Sequence, residues 1–194
     1  MPRSNSEDRR RQVCDIAGRL LARAGLEAVT VREVAREAGC STRIVSHHFS
    51  NKHELLLLVF NEFSGRALAA CEAALAEGKT LAAALEAILP IDDERRMYWQ
   101  IWLAFWGKIA EDPEFRDAQV TRAHQMRGLI EHMLAICEGA GAGEDHDWSF
   151  EADRLLTILV GIATQGVFDP ERWDAERQRN HLQAEIEALR AARH

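Results

Sequence analysis

Residues 30–52 read TVREVAREAGCSTRIVSHHFSNK, and this stretch decides the fold. Val31, Val34, Ala35 and Ala38 recur at i, i+3, i+4 and i+7, which is one face of a helix. Thr30 followed three residues later by Glu33 is a capping box: the hydroxyl takes an orphan N–H and the carboxylate reaches back to the cap. Gly39 ends the helix, because a residue without Cβ turns left-handed at little cost. Ser41 is placed to cap a second short helix whose buried face is expected to be Ile44, Val45 and Phe49. A capped helix, a glycine turn and a second short helix make a helix-turn-helix, the shape that enters a DNA major groove. An ordinary helical hairpin shares that outline, so the side chains left outside carry the argument.

With Ile44, Val45 and Phe49 inside, the second helix offers Thr42, Arg43, Ser46, His47 and His48 to a partner. These are short or basic hydrogen-bonding groups suited to base edges and phosphates. Thr30, Arg32 and Ser41 flank them, and Lys52 opens the next helix, where its ammonium and the terminal N–H groups suit one phosphate. Those nine residues are the expected DNA contacts. The pattern Thr30, Glu33, Val34, Ala35, Ala38, Gly39, Ser41, Phe49, Lys52, Glu54 and Leu55 resembles the DNA-binding domain of TetR-family repressors. Within that family, residues 41–49 (STRIVSHHF) are most similar to the BetI-like repressors of choline-to-betaine genes, which share Ser46 in place of the usual Tyr. Arg43 stands where that group usually has Gly, and His48 where it has Tyr. Both positions face DNA in the family, so the operator of those relatives does not transfer.

Charge follows the same division. Residues 1–56 carry ten Lys and Arg against seven Asp and Glu, a net of +3, while the remainder carries −10, within a total of −7. The local field at a docking face governs encounter with a polyanion, so an acidic total does not exclude DNA. Arg9, Arg10 and Arg11 fit phosphate contact and a solvated helix start equally well. The chain has 194 residues, 47% hydrophobic, with four prolines. That is enough for a sizeable core and too apolar for disorder. No apolar run reaches the roughly 18 residues of a membrane span, and residues 1–6 lack the apolar core of a signal peptide. A cytoplasmic location is expected. The four cysteines (Cys14, Cys40, Cys71, Cys137) form no CxxC pair and read as reduced small residues.

Beyond the motif the chain reads as helices throughout, with no strand-like run. Helices are expected over about 7–24, 30–38, 42–48, 52–77, 80–89, 92–112, 113–138, 149–168 and 172–193, with GAGAGEDHD at 139–147 as the main loop. The expected architecture is all-α: nine helices in a two-domain TetR-like fold. Its parts are a disordered tail (1–6), a helix-turn-helix domain (7–67) and a ligand-binding and dimerisation domain (68–194).

Two stretches give the second domain its work. Tyr98, Trp99, Trp102, Phe105 and Trp106 lie on one helix, with Trp99, Trp102 and Trp106 at i, i+3 and i+7. They suit a bundle core, or an aromatic cage for a quaternary ammonium ion, which is drawn to ring faces. The resemblance implies choline or its aldehyde as inducer; an apolar, aromatic or acyl ligand fits the same rings. Residues 155–168, LLTILVGIATQGVF, are apolar around most of the helix and must bury more than one side. Leu155, Ile158, Leu159, Ile162 and Gly166 are the expected interface of a homodimer, although a central helix inside one protomer is also compatible. Two heads 34–36 Å apart would read a near-palindromic operator.

No HExxH, nucleophile motif or Gly-rich phosphate loop is present, and adjacent His47 and His48 point apart. The expectation is a non-enzymatic, cofactor-free, metal-free repressor with three partners: double-stranded operator DNA, a second copy of itself and a small-molecule inducer. The competing class is a ligand-binding helical bundle that never meets DNA.

Overall fold

The computed structural model describes residues 3–139 and 146–192, and all regular structure among them is helical. In chain order the helices are α1 (Arg3–Ala24), a single 3-10 turn (Leu26–Ala28), α2 (Val31–Glu37), α3 (Thr42–His48), α4 (Lys52–Ala76), α5 (Leu81–Glu86), α6 (Asp93–Ala104), α7 (Trp106–Glu111), α8 (Pro113–Glu138), α9 (Ser149–Phe168) and α10 (Ala175–Ala191). Nine rods result, because α6 and α7 occupy the single helix expected before Pro113. Phe105 interrupts it: its N–H bonds back to the Trp102 carbonyl, a tightened turn.

Two other boundaries differ from expectation. α1 already starts at Arg3, so the tail expected over 1–6 is helical from there on, while Met1 and Pro2 lie outside the described residues. The last helix starts at Ala175 rather than 172, because the Asp174 side chain caps it by accepting from the Arg177 N–H at 2.8 Å. Most of the expected loop, residues 140–145, also lies outside the described residues, as do residues 193 and 194.

The chain forms two compact units. The first holds Met1–Ser64 together with Gln100–Ala118; the second holds Gly65–Trp99 and Gln119–His194. The expected division at 67/68 missed the return of 100–118 to the first unit. The core of that unit explains the return. Val13, Ala17, Leu20 and Leu21 of α1 are buried, as are Leu55, Val59, Phe60 and Phe63 of α4. Ile101, Phe105 and Phe115 complete the core. Phe105 stacks on Phe115 at 5.2 Å and meets Phe60 edge-on at 5.4 Å, arrangements that aromatic rings favour. α1 can approach α4 closely because residue 18 is glycine; a Cβ there would lie 2.3 Å from the Phe63 ring.

The second unit has its own core, including Leu81, Leu85 and Leu89, Ile130, Met133 and Leu134 of α8, Leu155, Leu159 and Ile162 of α9, and Leu182 and Ile186 of α10.

Candidate nucleic-acid interface and small-molecule pocket

α2 is built as its sequence suggests at one end and differently at the other. The Thr30 hydroxyl accepts from the Glu33 N–H at 3.1 Å. The Glu33 carboxylate does not return to the cap; it binds the Arg36 guanidinium, which holds its pKa below the usual carboxylate value. The helix closes on Gly39 at φ +61, with Gly39 N–H on the Arg36 carbonyl and Cys40 N–H on the Ala35 carbonyl. This pair of bonds is the Schellman closure, which satisfies the last carbonyls and fixes the turn into α3.

α3 then presents its side chains. Val45 and Phe49 are buried at 0% and 1% exposure. Thr42, Arg43, Ser46 and His47 are exposed and His48 is half-buried. Ser41 stands at the N-cap with an extended backbone, but its hydroxyl makes no cap bond, so the capping expected of it is not made. Ile44 also departs from expectation. It is 39% exposed, not part of the buried face. A seven-residue helix has room for one narrow buried stripe, and Val45 with Phe49 fills it.

The α3 surface is positively supported. The Arg10 guanidinium lies 5.9 Å from the Phe49 ring centroid, a cation–π distance. Burial, and then the positive charges of His47, Arg10 and Arg9, hold the His48 pKa below its ordinary value. Arg32 of α2 is exposed. Lys52 Nζ sits 3.0 Å from the Glu27 carboxylate. An exposed pair of this kind is weak and readily exchanged for a phosphate. Arg36 and Arg23 are engaged by Glu33 and Glu37.

Two fastenings escaped the sequence reading. Asn51 Oδ1 accepts the Glu54 N–H while the Glu54 carboxylate accepts the Ser50 N–H, both at 2.8 Å. Asn followed three residues later by Glu was the available signal. It sets the start of α4 and the position of Lys52. His53 stands between Asp112, at 3.3 Å, and Glu114, at 2.7 Å, with its ring edge against Phe115. No local signal predicts that clamp, since His53 and Glu114 are 61 positions apart.

The second unit contains a pocket of about 500 Å³ walled by Ala67, Ala70, Ala87 and Ile88, with Arg66, Asp92, Glu94 and Arg95 at its polar side. Of the five aromatic residues expected to gather, Tyr98 and Trp99 line this pocket. Trp99 Nε1 donates to the Ile88 carbonyl at 2.6 Å. The Tyr98 hydroxyl donates to the Glu94 carboxylate and also bonds Arg66; burial first, and then Glu94, raise its pKa. Arg95 donates to Asp92 at 2.8 Å, which lowers the Asp92 pKa. The other three rings belong to the first unit. Phe105 is wholly buried in that core, and Trp102 and Trp106 pair edge-on at 5.4 Å with Trp106 about half exposed. The break at Phe105 leaves Tyr98, Trp99 and Trp102 on α6 and puts Trp106 at the start of α7.

Likewise the expected dimer residues lie inside the protomer. Leu155, Leu159, Ile162 and Gly166 are buried in the second unit and Ile158 is half-buried. A Cβ on Gly166 would lie 2.6 Å from the Gln178 amide. The outward stripe of α9 is instead Phe150, Thr157, Gly161, Gln165 and Phe168, with Phe150 at 73% and Phe168 at 69% exposure. No described helix is long and apolar enough to cross a membrane.

Residues 14–59 match the family model of bacterial regulatory proteins of the tetR family, and residues 78–191 match that of the BetI-type transcriptional repressor C-terminal region. The HTH-type regulator PksA of Bacillus subtilis is 28% identical over 97% of this chain and 94% of its own length. The regulator BetI of Burkholderia mallei is 32% identical over 88% of this chain and 87% of its own. Among solved structures, a transcriptional regulator from Saccharomonospora viridis in complex with choline superposes with a TM-score of 0.82 at 25% identity, covering 93% of this chain and 96% of that one. A regulator from Rhodococcus sp. Rha1 gives 0.78 at 25%, covering 92% and 94%. With its helix-turn-helix head and its match to the repressor C-terminal region, the chain belongs to the TetR family of transcriptional repressors, in the BetI-type group, and is not an enzyme.

Proposed function

We propose that the protein is a homodimeric repressor that holds a near-palindromic operator through α3 and is released by a small molecule bound in the second unit. The observation that carries this reading is the α3 surface. Behind a Schellman turn, a short helix exposes Thr42, Arg43, Ser46 and His47 while Val45 and Phe49 anchor it. Thr30, Arg32, Ser41, His48 and Lys52 complete the contact set. Two copies associate through the outward stripe of α9 and the small residues Ala184 and Ala188 exposed on α10, an isologous arrangement that sets two heads one DNA turn apart. Such a protein works in the cytoplasm, with the DNA it regulates.

The inducer site is the pocket of Tyr98 and Trp99. Ring faces beside the Glu94 and Asp92 carboxylates suit a quaternary ammonium ion such as choline, the ligand held by the Saccharomonospora viridis relative. The alanine and isoleucine wall favours, as a second reading, an apolar or acyl ligand. α4 carries Lys52 at its start and Arg66, Ala67 and Ala70 at the pocket. Ligand binding acts on this helix and alters the presentation of the heads, weakening DNA by a coupling energy of about 1–3 kcal/mol.

A footprint on DNA flanking the protein's own gene tests the reading. Protection of a two-fold symmetric site is expected, and addition of choline should weaken it. Absence of protection at low salt, with pure dimeric protein, would sink the repressor reading. Protection that ignores choline but responds to an acyl or aromatic compound would transfer the ligand assignment to the second reading.

A further inference from the structure

We propose that Ile44 reads the C5-methyl group of a thymine in the operator, next to the base edges met by Arg43 and His47. The proposal rests on α3 being the DNA-reading helix and adds to it a residue and a base. Ile44 is 39% exposed on a helix whose other apolar side chain, Val45, is fully buried. Phe49, the helix C-cap, is buried as well. Ile44 stands three positions before His47 and four before His48, so its side chain lies beside theirs on the helix surface. An apolar group among Arg43, His47 and His48 adds nothing to phosphate binding, which requires cations and hydrogen-bond donors.

The major groove does offer it a partner. Of the four bases only thymine displays a methyl group there, and apolar side chains recognise it by contact. Isoleucine is suited to this role. Its branched Cβ holds χ1 in one dominant rotamer within a helix, so little side-chain freedom is lost when the contact forms. The arrangement also divides the labour along α3. Arg43 and His47 supply hydrogen bonds, which distinguish purine edges, while Ile44 supplies shape, which distinguishes thymine from cytosine. With Arg43, it predicts a half-site in which a thymine lies beside the base contacted by Arg43.

The test removes the methyl group without disturbing base pairing. Each thymine of the footprinted half-site is replaced in turn by uracil, in both half-sites together. Affinity is then measured for the wild type, Ile44→Ala and Ile44→Val. One position is expected to cost the wild type roughly three- to fivefold per half-site, the scale of leaving one methyl in water. Ile44→Ala should bind the thymine and uracil operators alike at that position, and Ile44→Val should retain part of the difference. Because Ile44 is exposed, the circular dichroism and thermal midpoint of both variants should match the wild type. A wild type indifferent to uracil at every thymine overturns the proposal. So does an Ile44→Ala variant that keeps the full uracil penalty. A chain that protects no DNA at all fails earlier, and sinks the repressor reading instead.

Discussion

The helix-turn-helix and α9 both carry periodic apolar residues, yet the periodicity marks the buried side of one and not of the other. In α2 and α3 the buried set is Val34, Ala35, Val45 and Phe49, much as the spacing requires. In α9 the residues assigned to a partner, Leu155, Leu159, Ile162 and Gly166, face the protomer's own core. The difference lies in contrast. α3 has few apolar residues among polar ones, so periodicity marks one side. α9 is apolar nearly all round, so periodicity cannot say which apolar side turns inward. The aromatic stretch is ambiguous for a related reason: Trp99, Trp102 and Trp106 share one stripe only on an unbroken helix, and the break at Phe105 puts Trp106 on α7, apart from Trp99 and Trp102 on α6.

The strongest way to break this comparison is to exchange the roles of the two faces of α9. Leu159→Ala removes a wholly buried side chain and should cost about 2–5 kcal/mol in denaturant unfolding. Phe168→Ala, on the exposed side, should leave protomer unfolding nearly unchanged and instead promote dissociation in sedimentation or size-exclusion measurements. The reverse pattern would restore the inner residues as the interface.

On the DNA side, Arg43→Ala should weaken specific binding by about 1–3 kcal/mol while changing non-specific binding less. Equal losses in gel shifts with operator and random DNA would reduce Arg43 to a phosphate contact. Lys52→Gln should weaken both kinds of DNA similarly and flatten the salt dependence by about one unit of slope. Gly39→Val forces a β-branched residue into φ +61 and should cost about 1–2 kcal/mol in the head. Hydrogen exchange should localise that loss to α2 and α3.

For the pocket, Tyr98→Ala should abolish choline-induced quenching of tryptophan fluorescence, whereas Trp106→Phe should preserve the affinity measured by calorimetry. The opposite result would return the ligand to the broken stripe.

The smallest effect is pH dependence. The head keeps His48 neutral more readily than an ordinary histidine, whose pKa is about 6.5. Its contribution to stability is complete above that value and is lost as pH falls toward the depressed folded value. Operator phosphates would offset the neighbouring positive charges and raise the His48 pKa, so DNA binding takes up protons. Affinity should therefore rise by a few fold, on the order of one proton linkage, between pH 8 and 6. His48→Gln should remove that slope in fluorescence-anisotropy titrations. A slope unchanged by the substitution assigns the proton elsewhere.

Much of the head was legible because its instructions are local. Thr30, Gly39 and the polar row of α3 act within a turn or two of themselves, and the helix-turn-helix pattern marks the family at the same positions. Ile44 departs from its periodicity because a seven-residue helix buries a stripe only as wide as its neighbours cover. The His53 clamp on Asp112 and Glu114, and the return of residues 100–118 to the first unit, depend on contacts far apart in the chain.

The sequence by itself determined the all-α class, the helix-turn-helix, the Gly39 turn and the basic character of the head, because capping, positive φ and charge are properties of neighbouring residues. Only the tertiary structure decided which rings meet in the pocket, which side of α9 is left outside and that Ile44 is exposed. Those outcomes depend on which surfaces cover one another, and in a helix apolar on several sides many coverings satisfy the same periodicity.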